Sequence, residues 1–400
     1  MSKMIEKLTA NASNWQKNSI NKIAPALLEN WLRDYYFTTE IDISGSGVED
    51  FSLAEIRKHV GITQQELDNL VFHDSPSLGC MGLRQAIARN CGSTNPERVM
   101  ATNGSSEAIF LVMNALLQPG DKVIVLDPSY HSLIHIAESI GCQIERWHLR
   151  FEQQFVPNIE ELKSLVTPDT RMVIVNFPHN PTGVSVSVET QKEIIDIVAS
   201  VEAYLVWDAA FAELTHTNPP LPDASLLYDK AISTGTLSKA YGLPGLRVGW
   251  CLASTEVLER CVQLRDYTTL ALSPLVELIA QRVIQKADNL LNIRLPQIRT
   301  NLEIVAEWVD QNKEFVKWVR PQGGVTTFLY FPDIPDIETF CHYLVNSCGV
   351  LVVPGTCFYH PNYVRLGFGG STVKLKEGLS RISTLLKNSN ISSIQNSKCD

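Results

Sequence analysis

Between about residue 100 and residue 250, short and almost unbroken apolar runs alternate with stretches of helical periodicity. KVIVLD (Lys122–Asp127), MVIVNF (Met172–Phe177) and AYLVWD (Ala203–Asp208) lack polar alternation, the pattern of strands covered on both faces in a parallel sheet. SSEAIFLVMNALL (Ser105–Leu117) follows a small-residue turn, and SVETQKEIIDIVAS (Ser187–Ser200) begins with a capping residue ahead of apolar positions at helical spacing. The repeat of strand and helix predicts an α/β fold whose mainly parallel sheet is flanked by helices. Ligands in such sheets sit beyond the carboxyl ends of the strands, so Asp127, Asn180 and Asp208 are expected in or near one crevice.

After residue 285 the pattern becomes a long polar and apolar helix (Asp288–Asn312), two strands in GGVTTFLYF and GVLVVPG, and a helical tail. This reads as a smaller α+β domain. The division expected is therefore a lead-in segment over 1–50 that packs with the small domain, a large domain over 51–285, and a small C-terminal domain over 286–400. The closing SNISSIQNSKCD is expected to fray.

Composition narrows the function classes. The 400 residues are 44% hydrophobic and 19% charged, with a net charge of −9. That describes a globular chain with a sizeable core and no basic field for nucleic acid. No apolar run is long enough to cross a bilayer, and the polar N-terminus has no signal-peptide core. Nine scattered cysteines without ligand spacing argue against a disulfide framework or a metal site, and a reducing, cytoplasmic setting is expected.

The chemistry begins in GTLSKAYGLPGLRVGW (Gly235–Trp250), where Lys239 stands among small and apolar residues and the nearest formal charge is Arg247. A lysine in such a partly desolvated loop has its neutral amine favoured, which a Schiff-base nucleophile requires, although a lysine can equally snorkel to solvent. The hydroxyls of Thr236 and Ser238 are expected beside the amine. TNGSSEA (Thr102–Ala108) opens a helix whose free N–H groups, with Ser105 and Ser106, suit a phosphate or an ordinary cap. Asp208 ends an apolar strand, where a charged carboxylate needs a cation or caps a helix. FPHNPTG (Phe177–Gly183) is a turn, and Arg365 in VRLGFG sits where a carboxylate clamp or a structural ion pair is possible.

In chain order these motifs run from the small-residue turn through Tyr130, N-P-T-G, Asp208 and S-K-x-x-G-L-P-G-L-R to P-G-x-x-F and V-R-L. The series resembles the fold-type I pyridoxal-phosphate enzymes of the class I/II aminotransferase group over roughly residues 30–385. The resemblance implies that Lys239 binds pyridoxal 5′-phosphate covalently and moves the substrate Cα proton, while Asp208 keeps the pyridine nitrogen protonated. Asn180 would bond the ring 3-oxygen, Tyr130 would stack on the ring, and Arg365 would clamp the substrate carboxylate, with Asn180 beside it. Ser105, Ser106, Thr236, Ser238 and Arg247 would hold the phosphate. A homodimer acting on a small amino acid is implied, with Thr268 or Thr269 reaching across the interface.

Two positions depart from that group. Where its members read D-x-x-Y, this chain has Asp208-Ala-Ala-Phe211, and where they place a phosphate-binding tyrosine, FHDSPSLG (Phe72–Gly79) offers His73 and Asp74. LLENWLRDYYF, DISGSGV, SYHSL, VWDAAF and RDYTTLALSPLVE are similar to a branch that cyclises hydroxylated arginine, the capreomycidine synthases and the guanitoxin-type enduracididine-forming cyclases. The resemblance favours γ-hydroxy-L-arginine closing to L-enduracididine, with β-hydroxy-L-arginine to capreomycidine as the variant. An aminotransferase acting on arginine or another cationic amino acid is the alternative. Either cyclisation needs an acid for the departing hydroxyl and an anionic guanidinium site. Glu29, Asp42, Asp74 and His131 are the candidates, Glu29 first because lead-in segments of this fold lie over the active site.

Overall fold

The computed structural model describes residues 23–388. The polar N-terminal stretch and the SNISSIQNSKCD tail lie outside them. The chain enters through the helix Leu27–Tyr35 and the short strand β1 (Ile41–Asp42). It then builds a seven-stranded sheet from β2 (Val99–Thr102), β3 (Lys122–Asp127), β4 (Gln143–His148), β5 (Thr170–Asn176), β6 (Tyr204–Asp208), β7 (Ala231–Thr236) and β8 (Gly249–Leu252). The spatial order is β2-β8-β7-β6-β5-β3-β4. β8 runs antiparallel to β2 and β7, and every other pairing is parallel.

The unbroken apolar runs are explained by burial on both faces. In β3 and β5, Val123, Val125, Met172 and Ile174 pack on one side with the helix Ser105–Leu116, whereas Ile124, Leu126, Val173 and Val175 join the core on the other. Each fully buried branched side chain contributes about 1.5–3 kcal/mol, so a polar alternation here would forfeit one whole layer. The helix Val188–Ala199 starts where its capping residue indicates: the Ser187 hydroxyl accepts from the Thr190 N–H.

The C-terminal part carries the long helix Ala287–Gln311 and the strands β9 (Thr326–Tyr330), β10 (Val350–Leu351), β11 (Val353–Pro354) and β12 (Tyr363–Gly367). β11, β12 and β9 form an antiparallel sheet, while β10 pairs in parallel with β1. GVLVVPG is thus two short strands instead of the one its apolar run predicts. The break falls at Val352, where the chain leaves β1 for β12 and the Val352 carbonyl accepts from Trp31 Nε1 at 2.7 Å. Through that bond and β1, the lead-in residues are fastened to the C-terminal strands and drawn across the carboxyl end of the large sheet.

Candidate active site

The carboxyl ends of β5, β6 and β7, the loop Asp42–Asp50 and β12 enclose a cleft of about 820 Å³. β6 delivers Asp208, which is 5% exposed and accepts from the Ala210 N–H and the Thr234 hydroxyl, each at 3.1 Å. β7 continues into the loop that carries Lys239. Burial pushes the Lys239 amine down to about 8; Arg365 acts in the same direction, and Glu29 and Asp208 oppose it. Burial pushes Asp208 up to about 6, against its hydrogen bonds and the Lys239 charge. A cation set against Asp208 would restore its charge.

The hydroxyl beside the amine is not the one expected. Thr236 Oγ1 donates to the Val248 carbonyl at 3.0 Å and lies 2.9 Å from Ser238 Oγ, so these two are engaged with the backbone and each other. Lys239 Nζ instead donates to Ser46 Oγ at 2.8 Å, across 193 positions of chain.

Ser105, Ser106, Thr236, Ser238 and Arg247 all line the cleft. The helix Ser105–Leu116 has Gly104 as its N-cap, with φ +78° and no side-chain cap, which leaves its first N–H groups free for an anion. A Cβ at Gly104 would sit 2.5 Å from Arg247 Nη2, and one at Gly249 would strike the Ser105 N–H, so both glycines keep this cradle open. Among the described residues Arg247 has no carboxylate partner; its Nη1 donates to the Pro244 carbonyl at 2.9 Å.

Arg365 is 1% exposed. Its Nη1 donates to Asn180 Oδ1 at 3.2 Å and its Nη2 to the Ser44 carbonyl at 2.9 Å, while Nε has no partner among the described residues. A buried guanidinium with an unmade bond and no counter-ion suits a carboxylate ligand. Burial lowers its pKa to about 10, which leaves it charged at neutral pH. The free helix end, the cation Arg247, the carboxylate Asp208 and the nucleophilic amine fit the phosphate, ring nitrogen and aldehyde of pyridoxal 5′-phosphate.

Of the acidic candidates, Glu29 and Asp42 line the cleft and Asp74 does not. Asp74 lies exposed on the loop ahead of the helix Met81–Asn90. Glu29 Oε1 accepts from the Tyr130 hydroxyl at 3.2 Å and has no cationic partner among the described residues. Asp42 Oδ1 accepts from the Ser44 N–H and hydroxyl at 2.8 and 2.6 Å. His131 also lines the cleft; burial lowers its pKa, and its Nδ1 has no partner among the described residues. Thr269 is bonded to Glu107 of its own chain, and the Thr268 hydroxyl to the Arg265 carbonyl at 3.2 Å.

Asp127 departs from expectation. It ends β3 in register with His148 of β4, and its carboxylate faces Arg146 at 2.7 Å, His148 at 3.1 Å and His360 at 3.3 Å, away from the cleft. Two groups not singled out from sequence belong to the site. Ser46 is one; the other is Asn176, whose Oδ1 accepts from the Asn180 N–H at 2.8 Å and whose Nδ2 donates to the Asp208 carbonyl at 2.9 Å. The glycines of DISGSGV were the one available signal for Ser46, since they mark a close approach of backbone.

Fold and cleft together define a pyridoxal-phosphate-dependent enzyme of the aminotransferase fold. The chain belongs to the aminotransferase class I and II family, whose model matches residues 63–382. It is 43% identical to the capreomycidine synthase of Streptomyces vinaceus over 90% of this chain and 92% of the synthase. It is 30% identical to an aspartate aminotransferase of Thermotoga maritima over 77% of this chain and 82% of that protein. The crystal structure of the PLP-dependent cyclase OrfR superimposes with a TM-score of 0.88 at 42% identity, covering 92% of this chain and 99% of OrfR. No described helix is long and apolar enough to cross a membrane.

The depressed Lys239 amine has a measurable consequence. Capture of pyridoxal 5′-phosphate by the apoenzyme requires the neutral amine, so its rate is expected to rise with pH through about 8 and then level off. Absorbance-monitored binding across pH checks this. A rate still climbing at the ordinary lysine pKa would place the amine in a more solvated setting.

Proposed function

We propose that this enzyme cyclises hydroxy-L-arginine by loss of water and internal attack of the guanidine. The finer reading is γ-hydroxy-L-arginine closing to the five-membered ring of L-enduracididine. The observation that carries the cationic substrate is the Glu29 carboxylate, which lines the same cleft as Lys239 and Arg365 and has no cationic partner among the described residues. A cleft for an amino acid with a neutral or acidic side chain has no use for that group. The 43% identity to a capreomycidine synthase supports the same reading. It also favours a second one, in which the β-hydroxy isomer closes to the six-membered ring of capreomycidine.

When bound, pyridoxal 5′-phosphate draws electrons from the substrate Cα and makes the hydrogens at Cα and then Cβ acidic. Asp208 would pair with the ring nitrogen, and Arg247 with the free end of the helix Ser105–Leu116 would seat the phosphate. Arg365 would fork onto the substrate carboxylate, its free Nε completing the pair. Glu29 would hold the guanidinium, and Lys239, as a neutral amine, would take and return the protons. Phe211 closes the wall with its ring 5.7 Å from Lys239 Nζ and brings no hydroxyl to the site. A homodimer in a reducing, cytoplasmic setting is part of this reading.

The test is mass spectrometry of the purified, loaded enzyme with β- and γ-hydroxy-L-arginine side by side and no keto acid. A product lighter by one water supports cyclisation, and the isomer consumed decides the ring. A keto acid as product, from either isomer or from arginine, would instead make the enzyme an aminotransferase.

A further inference from the structure

The loop Asp42–Asp50 is pinned on both sides of the cleft. The Val48 N–H donates to the Lys239 carbonyl at 3.0 Å, the Glu49 N–H to the Gly369 carbonyl at 3.1 Å, and the Ser44 carbonyl receives Arg365. Glycines make this approach possible: a Cβ at Gly47 would lie 3.0 Å from the Ser238 carbonyl oxygen, and one at Gly367 would strike the Gly45 carbonyl. Ser46 is therefore held in place by neighbours on two different strands of chain, with its side chain on the cleft.

Its hydrogen bonding is half complete. Ser46 Oγ accepts from Lys239 Nζ at 2.8 Å, and among the described residues it has no other partner. The hydroxyl proton is thus left without a protein acceptor at a point that faces the substrate space. Thr236 and Ser238, the hydroxyls near Lys239 in the chain, are occupied with each other and the backbone, and the Ser44 hydroxyl donates to Asp42. An oxygen that receives from the amine and is free to donate into the cleft has the connectivity of a proton relay.

We propose that Ser46 is a catalytic residue that carries a proton from Lys239 to the departing hydroxyl of the substrate. This rests on the dehydrative cyclisation proposed above. Lys239 takes a proton from the carbon next to the one that bears the hydroxyl, and the electron pair of that C–H bond becomes the second bond between the two carbons. The carbon–oxygen bond breaks with its pair on oxygen. Ser46 passes its hydroxyl proton to that oxygen and receives one from Lys239 Nζ, so water leaves and the lysine returns to the neutral amine. No oxidant, reductant or further acid is required.

The experiment compares Ser46→Ala and Ser46→Thr with the wild type, using the loaded enzyme and both hydroxyarginine isomers in deuterium oxide. In Ser46→Ala, deuterium exchange at the substrate carbons is expected to persist while water loss falls about 10²-fold or more, the usual worth of a positioned acid. Ser46→Thr, which keeps the hydroxyl, is expected to restore water loss. A second readout uses the apoenzyme without substrate: the pH midpoint for chemical labelling of Lys239, followed by peptide mass mapping. Losing an acceptor for the ammonium disfavours the charged form, so the midpoint is expected to move down in Ser46→Ala.

If exchange and water loss fall together, or if neither the partition nor the midpoint moves, the relay is overturned. Should alanine disturb the loop, Ser46→Gly removes the same hydroxyl and is read identically. The two proposals fail distinguishably. A wild type that forms keto acid without losing water sinks the cyclisation and the relay with it, whereas a wild type that dehydrates beside an unaffected Ser46→Ala sinks the relay alone.

Discussion

Lys239→Ala is expected to lower turnover by about 10⁴-fold or more, because one side chain supplies both the covalent anchor for the cofactor and the base at the substrate carbons. The variant should still bind pyridoxal 5′-phosphate, since the open end of the helix Ser105–Leu116, Arg247 and Asp208 are untouched. It should be unable to bind it covalently. Borohydride reduction of the wild type followed by peptide mapping is expected to fix the cofactor on Lys239, and reduction of the variant to fix none. A label on a different lysine, or a variant with near-normal turnover, would remove Lys239 from the centre of the site. Burial supports the assignment, since an amine brought down to about 8 has a large neutral fraction near physiological pH.

Glu29→Gln is expected to cost about 2–5 kcal/mol in kcat/KM for hydroxyarginine, the range found when one partner of a desolvated charge pair is removed. Cofactor affinity should change far less, because Glu29 belongs to the lead-in helix Leu27–Tyr35 and among the described residues its carboxylate is hydrogen-bonded to Tyr130 alone. The substitution keeps the shape and an oxygen acceptor for the Tyr130 hydroxyl, so the lost quantity is charge. Steady-state kinetics beside a cofactor titration separate the two effects. An unchanged rate would transfer the guanidinium to Asp42, the other acidic candidate on the cleft, or to Asp74 of a second copy of the chain.

The strands were legible in the sequence for a physical reason: burial on both faces removes polar positions, and KVIVLD and MVIVNF show it directly. Lys239 was legible from its isolation among small and apolar residues. Contacts between distant segments were not. Ser46 meets Lys239 only because β1 pairs with β10 and carries the following loop across the cleft, and no local pattern encodes a contact over 193 positions. Asp127 shows the opposite failing. Its place at a strand end pointed to the crevice, but β4 brings Arg146 and His148 alongside, and the carboxylate is held below its usual range, at about 2, by His360 and Arg146 against the opposing effect of burial. A strand end specifies a neighbourhood; the adjoining strand decides which way the side chain is engaged.

The fate of the substrate is decided most directly by one measurement, the keto-acid-free incubation run in deuterium oxide with γ-hydroxy-L-arginine. Cyclisation predicts many turnovers per active site, one water lost per product, and deuterium at both Cα and Cβ of the ring compound. Deuterium at Cα alone, with only the β-hydroxy isomer closing, would assign the six-membered ring. A reaction that stalls after a single turnover and resumes only when a keto acid is added would contradict cyclisation and make the enzyme an aminotransferase.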